Sequence, residues 1–84
     1  LALELLASWG EHRRMDARET FAANLRRERK RLELSQEALG ECCDLNMSEI
    51  SRLERSQRDP RLATIVKIAK ALEIPPSKLL DGIP

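Results

Sequence analysis

Apolar residues along this chain recur at helical spacing, in short blocks separated by turn chemistry. Leu1, Leu5 and Trp9 fall on one helical stripe with Leu6 beside them, and Gly10 would end it. Asp16-Ala17-Arg18-Glu19 then has the shape of a capping box, with aspartate in the capping place. It opens a helix expected over 17–31, with Phe21, Leu25 and Leu32 as its apolar stripe and Arg29 on the same side. Two shorter helices are expected over about 36–43 and 47–55. Ser56-Gln57-Arg58-Asp59-Pro60 reads as a loop, because Pro60 disfavours helix at Asp59. Leu62, Ile65, Val66, Ile68, Ala69 and Leu72 give the best helical periodicity of the chain, over about 62–72. Ile74-Pro75-Pro76 stops that helix, and Ser77 to Asp81 makes one last short turn closed by Gly82. β-branched and aromatic residues are few, which argues against a sheet.

The stretch from Leu34 to Glu54 carries the most information. Ser35 can cap the first of its helices and Asn46 the second. Leu39 and Cys43 face inward from one, Ile50 and Leu53 from the other. Gly40 sits where two helix backbones would cross closely, and Asp44 where the turn needs a residue that tolerates a left-handed conformation. That is the grammar of a helix-turn-helix, whose second helix enters a DNA major groove.

Eighty-four residues make one small domain that buries a modest core and depends on short loops, good caps or a partner subunit. The net charge of +1 is too small to argue for nucleic acid by itself. Distribution changes that picture. Arg26, Arg27, Arg29, Lys30 and Arg31 cluster on one helix, and Arg52, Arg55, Arg58 and Arg61 follow the second helix of the motif. For Lys30 and Arg31 a solvated, paired helix face is at least as good a reading as DNA contact. Cys42 and Cys43 are adjacent, which is poor geometry for a disulfide, and with one histidine no metal set of usual spacing exists. Cys43 reads as a small core residue and Cys42 as partly exposed, which suits a reducing cytoplasm. No segment is long enough to span a membrane, and Leu1 to Trp9 lacks the basic start of a signal peptide. We expect no cofactor, no metal and no enzyme activity, since there is no nucleophile–base pair and no glycine-rich phosphate loop.

Residues 1–14 admit two readings. They form an extra helix that packs on the domain or on a second subunit, or they are an extension that does little, with Met15 the natural beginning. The first is favoured, because a bare Leu/Trp stripe in water is an aggregation liability. The domain proper is then 15–84.

From Phe21 to Gly82 the chain resembles the lambda-repressor-like DNA-binding domains of Cro/C1, or XRE, type. The residues that carry the resemblance are Leu25-Arg26 with Arg29, Leu34 through Leu39, Ile50, Leu53-Glu54, Pro60, Ile68 through Leu72, and Leu79-Leu80. It implies an all-α, compact five-helix domain, here with an extra N-terminal helix. It implies that Gln36 anchors a phosphate and braces the recognition helix, that Met47, Ser48 and Arg52 reach base edges, and that Arg29 and Glu54 form a buried ion pair. A buried arginine needs a two-pronged acceptor, so physics agrees with the last point. The chain departs from the family pattern at Glu33, Asp44 and Ser56, where many members carry glycine, at Gly40, where they carry alanine, and at Arg61, where a serine caps the fourth helix.

In this reading Arg52 is the candidate for guanine O6 and N7, its alternatives being a phosphate contact or a salt bridge to Glu49. Met47 packs on a thymine methyl, or else pads the helix start. Phosphate contacts are expected from Ser35, Gln36, Asn46, Arg55, Gln57, Arg58 and Arg61. One module makes few base contacts, so a homodimer on a palindrome is expected. Its interface would use Leu79, Leu80 and Ile83, or the N-terminal stripe of Leu5 and Trp9. The leading function is a sequence-specific regulator of double-stranded DNA. The alternative, an antitoxin that binds a protein toxin, would use residues 1–14, and a protein-interaction module without DNA binding is disfavoured by Gln36, Arg52, Arg55 and Arg58 occurring together.

Overall fold

The computed structural model describes residues 16–84. The expectations placed on residues 1–15, including the extra helix, Leu5 and Trp9, lie outside the described residues. Five helices follow one another: α1 Ala17–Arg31, α2 Gln36–Cys43, α3 Met47–Glu54, α4 Leu62–Ala71 and α5 Pro76–Leu79. No strand occurs among the described residues. α2 packs on α3 and α4, α1 on α3 and α5, and α4 on α5.

The caps that start the first three helices are those the sequence marks. Asp16 Oδ1 accepts the Glu19 N–H at 2.9 Å, Ser35 Oγ the Ala38 N–H at 2.9 Å, and Asn46 Oδ1 the Glu49 N–H at 2.8 Å. Each bond satisfies one of the orphan N–H groups of a helix start. α4 begins at Arg61 with no side-chain cap, as the missing serine implied.

The helix ends share a device. Glu33, Asp44, Ser56 and Glu73 all lie in the left-handed region, with φ between 56° and 61°. In each case the next residue's N–H returns to a carbonyl five residues back: Leu34 to Arg29, Leu45 to Gly40, Gln57 to Arg52 and Ile74 to Ala69. Glycine usually holds such positions because it has no Cβ to clash. Three of the four sites are where the family pattern carries glycine and this chain does not. Gly40 is buried, and a Cβ added there would collide with the carbonyl oxygen of Leu45. The close approach is thus between α2 and the turn, rather than between two crossing helices.

Leu25, Leu39, Ile50, Ile68, Leu72 and Leu79 are fully buried and form the centre of the core, with Phe21, Cys43, Leu53, Ile65 and Ala69 around them. Three expectations need correction. Leu32 is not on the α1 core stripe: it is the residue that caps α1 and is 37% exposed. Leu62 and Val66 are 75% and 47% exposed, because α2 and α5 cover only one side of α4. Leu79, offered as part of a dimer surface, is fully buried and has no face left for a partner.

Candidate nucleic-acid interface

Among the described residues, α3 is held from behind and open in front. Its inner face is Ile50 and Leu53, both buried. Its C-terminal end is held by Glu54, whose carboxylate receives both prongs of the Arg29 guanidinium: Nε donates to Oε2 at 2.6 Å and a terminal nitrogen to Oε1 at 2.9 Å. The other terminal nitrogen of Arg29 donates to the Leu34 carbonyl at 2.8 Å, so the same side chain also fixes the chain entering α2. Gln36, the first residue of α2, donates from Nε2 to Glu54 Oε1 at 3.2 Å. α1, α2 and α3 therefore meet at one carboxylate. The Arg29 guanidinium is held more firmly protonated than usual by its bond to Glu54, against the opposing effect of burial.

The front of α3 presents Met47, 53% exposed, together with Ser48 and Arg52. Arg52 makes no ion pair among the described residues, so the alternative of a bridge to Glu49 is not what is seen. Asn46 and Ser48 form a small unit: Ser48 Oγ donates to Asn46 Oδ1 at 2.6 Å. Ser35 and Asn46 both spend their side-chain oxygens on helix N–H groups.

Arg55, Gln57, Arg58 and Arg61 are exposed on and after the end of α3. Arg58 and Arg61 line a cleft of about 300 Å³ between α3 and the start of α4, with Glu49, Thr64 and Lys67 on its other walls. The structure thus brings Arg58 and Arg61 together beside α3, and adds Lys67, which sequence reasoning did not single out. Leu80 is 40% exposed and Ile83 partly buried, on the side of α5.

The α1 cations divide. Arg31 Nε donates to Glu28 at 2.8 Å, a terminal nitrogen of the same guanidinium donates to the Leu72 carbonyl at 3.4 Å, and Arg27 lies 3.6 Å from the Glu28 carboxylate. Arg31 is therefore a structural residue, joining α1 to the end of α4. Glu28 is 4% exposed, and its carboxyl is held below the usual range by the Arg31 hydrogen bond, assisted by the charges of Arg31, Arg27 and Lys78 and opposed by burial. Asn24, also 4% exposed, donates to the carbonyls of Leu79 and Asp81, both at 2.9 Å, and so ties α5 to α1. Neither Asn24 nor Glu28 was picked out from the sequence. The available signal was a polar residue falling within the apolar stripe of α1.

Known proteins give the same picture. A family model described as helix-turn-helix matches residues 25–79. The chain is 41% identical over 66 residues to the control protein C.SmaI of Serratia marcescens, covering 79% of each. It superposes with TM-score 0.72 and 39% identity on the restriction-modification controller protein C.AhdI of Aeromonas hydrophila, covering 74% of this chain and 94% of that one. A third match is the P22 c2 repressor protein in complex with a synthetic operator, at TM-score 0.69 and 34% identity, covering 74% of this chain and 94% of that one.

Proposed function

The chain belongs to the helix-turn-helix family, Cro/C1 type, and from that premise we propose that it is a transcriptional regulator of the controller or repressor kind, which binds double-stranded DNA sequence-specifically. α3 enters the major groove. Met47, Ser48 and Arg52 face base edges, with Arg52 paired to guanine. Gln36, at the start of α2, meets a phosphate while its amide nitrogen braces Glu54. Arg55, Gln57, Arg58, Arg61 and Lys67 form the electrostatic flank that holds the phosphate backbone.

The observation that carries this reading is the two-sidedness of α3. An eight-residue helix is clamped by core packing and by a two-pronged ion pair on one side, and on the other offers an arginine that pairs with no carboxylate among the described residues. A merely structural helix has no use for such a rigid, exposed face.

The chain acts as a homodimer on a palindrome with half-sites about one helical turn apart. Leu80 and Ile83 are the C-terminal residues suited to the interface, and Leu5 and Trp9 the N-terminal ones. The relatives named above are controllers and a repressor. They lend no support to the antitoxin reading, which is set aside.

The test compares two arginines. Arg52→Ala should cost about 1–3 kcal/mol at one base position and relax specificity there, whereas Arg58→Ala should weaken all sequences alike and lower the salt dependence of binding. Equal loss on every sequence for both variants would sink this division of labour.

A further inference from the structure

The first turn of α3 fixes the polarity of its own hydrogen-bonding groups. Asn46 Oδ1 accepts the Glu49 N–H at 2.8 Å. Only the amide oxygen can accept from a backbone N–H, so the orientation of the Asn46 amide is settled by its cap. Ser48 Oγ lies 2.6 Å from that same oxygen. Of these two oxygens only the hydroxyl carries a hydrogen, so Ser48 donates and Asn46 accepts. A serine hydroxyl has one hydrogen, and here it is committed. Toward solvent Ser48 offers lone pairs alone. The Asn46 oxygen already takes two donors, so the group it has left to offer is its NH2. Both residues are exposed at the leading end of the helix.

Every base pair carries one amino group and one keto group in the major groove, on opposite strands. A freely rotating hydroxyl suits either, donating to a keto oxygen or accepting from an amino group. A hydroxyl locked as an acceptor suits only the amino group, and meets a keto oxygen lone pair to lone pair. Resting on the DNA-binding reading above, we propose that Ser48 is an amino-group reader. It accepts from adenine N6 or cytosine N4 and rejects guanine or thymine on the strand it faces. Asn46 is the positioning residue that gives Ser48 this polarity, a role beyond the phosphate contact expected from the sequence.

The experiment is selection from a pool of random duplexes, run in parallel with the full chain and with Ser48→Ala, Asn46→Gly and Asn46→Asp. Glycine is tolerated at a helix cap and aspartate caps well, so the helix start survives both changes, and circular dichroism checks it. The full chain should show one motif position restricted to adenine or cytosine, by about two- to tenfold, the worth of one hydrogen bond. Ser48→Ala should flatten that position and leave the others. Asn46→Gly should flatten it too, although Ser48 is intact, because the hydroxyl is free to donate. Asn46→Asp keeps the acceptor for Ser48 and should keep the restriction. The proposal is overturned if Ser48→Ala leaves every position unchanged, if the position it relaxes is a guanine/thymine one, or if Asn46→Gly retains the restriction. A full chain that selects no motif overturns the DNA-binding reading itself, and the two failures are thereby told apart.

Discussion

Removing Glu54 should destabilise this domain strongly, because it leaves the Arg29 charge buried without its partner. Arg29 and Glu54 have side chains 10% and 3% exposed, and the pair is two-pronged, with Nε to Oε2 at 2.6 Å. With Glu54→Ala the guanidinium keeps its bond to the Leu34 carbonyl but loses its counter-charge in a site with little access to water. Stranding a buried charge costs about 3–5 kcal/mol. Gln36 loses its acceptor as well. A domain this small holds only ~5–10 kcal/mol in all, and each kcal/mol moves its melting temperature by ~4–8 °C. Tm should therefore fall by at least about 12 °C, and the urea midpoint should fall with an unchanged slope. The double variant Arg29→Met, Glu54→Leu fills the space without charge and should recover much of the loss. Urea titration followed by circular dichroism reads both. A Glu54→Ala loss below about 1 kcal/mol, the range of an exposed pair, would refute the reasoning. It would mean that Arg29 reaches water once its partner is gone.

The remaining predictions concern other parts of the molecule. Glu33→Gly and Glu73→Gly should each stabilise the domain by about 0.5–1 kcal/mol, because both residues sit at positive φ, where a side chain is strained; a lower urea midpoint for either would contradict this. The Glu28 carboxyl is held below its usual value of 4.5 in the fold. Its contribution is therefore full above about pH 4.5 and is lost as pH falls through the lowered value. Tm should drop more steeply on acidification for the parent than for Glu28→Gln, and parallel curves would exclude the effect. Cys42 is exposed, while Cys43 is buried with its thiol pushed up by that burial and further by Cys42. Iodoacetamide should then add once to the native protein and twice after unfolding, and two native adducts would show that Cys43 is not sealed. Deleting residues 1–14 and measuring mass in solution tests the interface: an unchanged dimer rules out Leu5 and Trp9 as its main surface.

The parts of the fold legible in the sequence are those written in local chemistry. Asp16, Ser35 and Asn46 announce helix starts through side-chain oxygens that act within four residues. Pro60 and Pro75 act on their immediate neighbours. The Arg29–Glu54 pair was legible only through the family resemblance, since nothing local links two residues on different helices. What stayed hidden was decided by tertiary neighbours. Leu79 and Leu80 are equivalent by composition, and which of them turns inward is set by the packing of α5 on α1 and α4, with Asn24 gripping the Leu79 carbonyl from α1. Leu62 and Val66 share the helical period of Ile65 and Ile68 yet stay exposed, because among the described residues no element covers their side of α4. Arg31 looked like one of several surface cations until Glu28, three residues earlier, proved to be buried beneath it. The front of α3 was legible residue by residue, but the bond between Ser48 and Asn46 exists only once the turn is folded.

The most direct test of the central claim is binding of the full chain to a pool of random duplexes, with selection and sequencing at a stated salt concentration. The account predicts a palindromic motif of two half-sites spaced by about one helical turn, relaxed at one position of each half-site when Arg52 is replaced by alanine. Absence of any enriched motif, or only weak binding that vanishes with salt on every sequence alike, would contradict it.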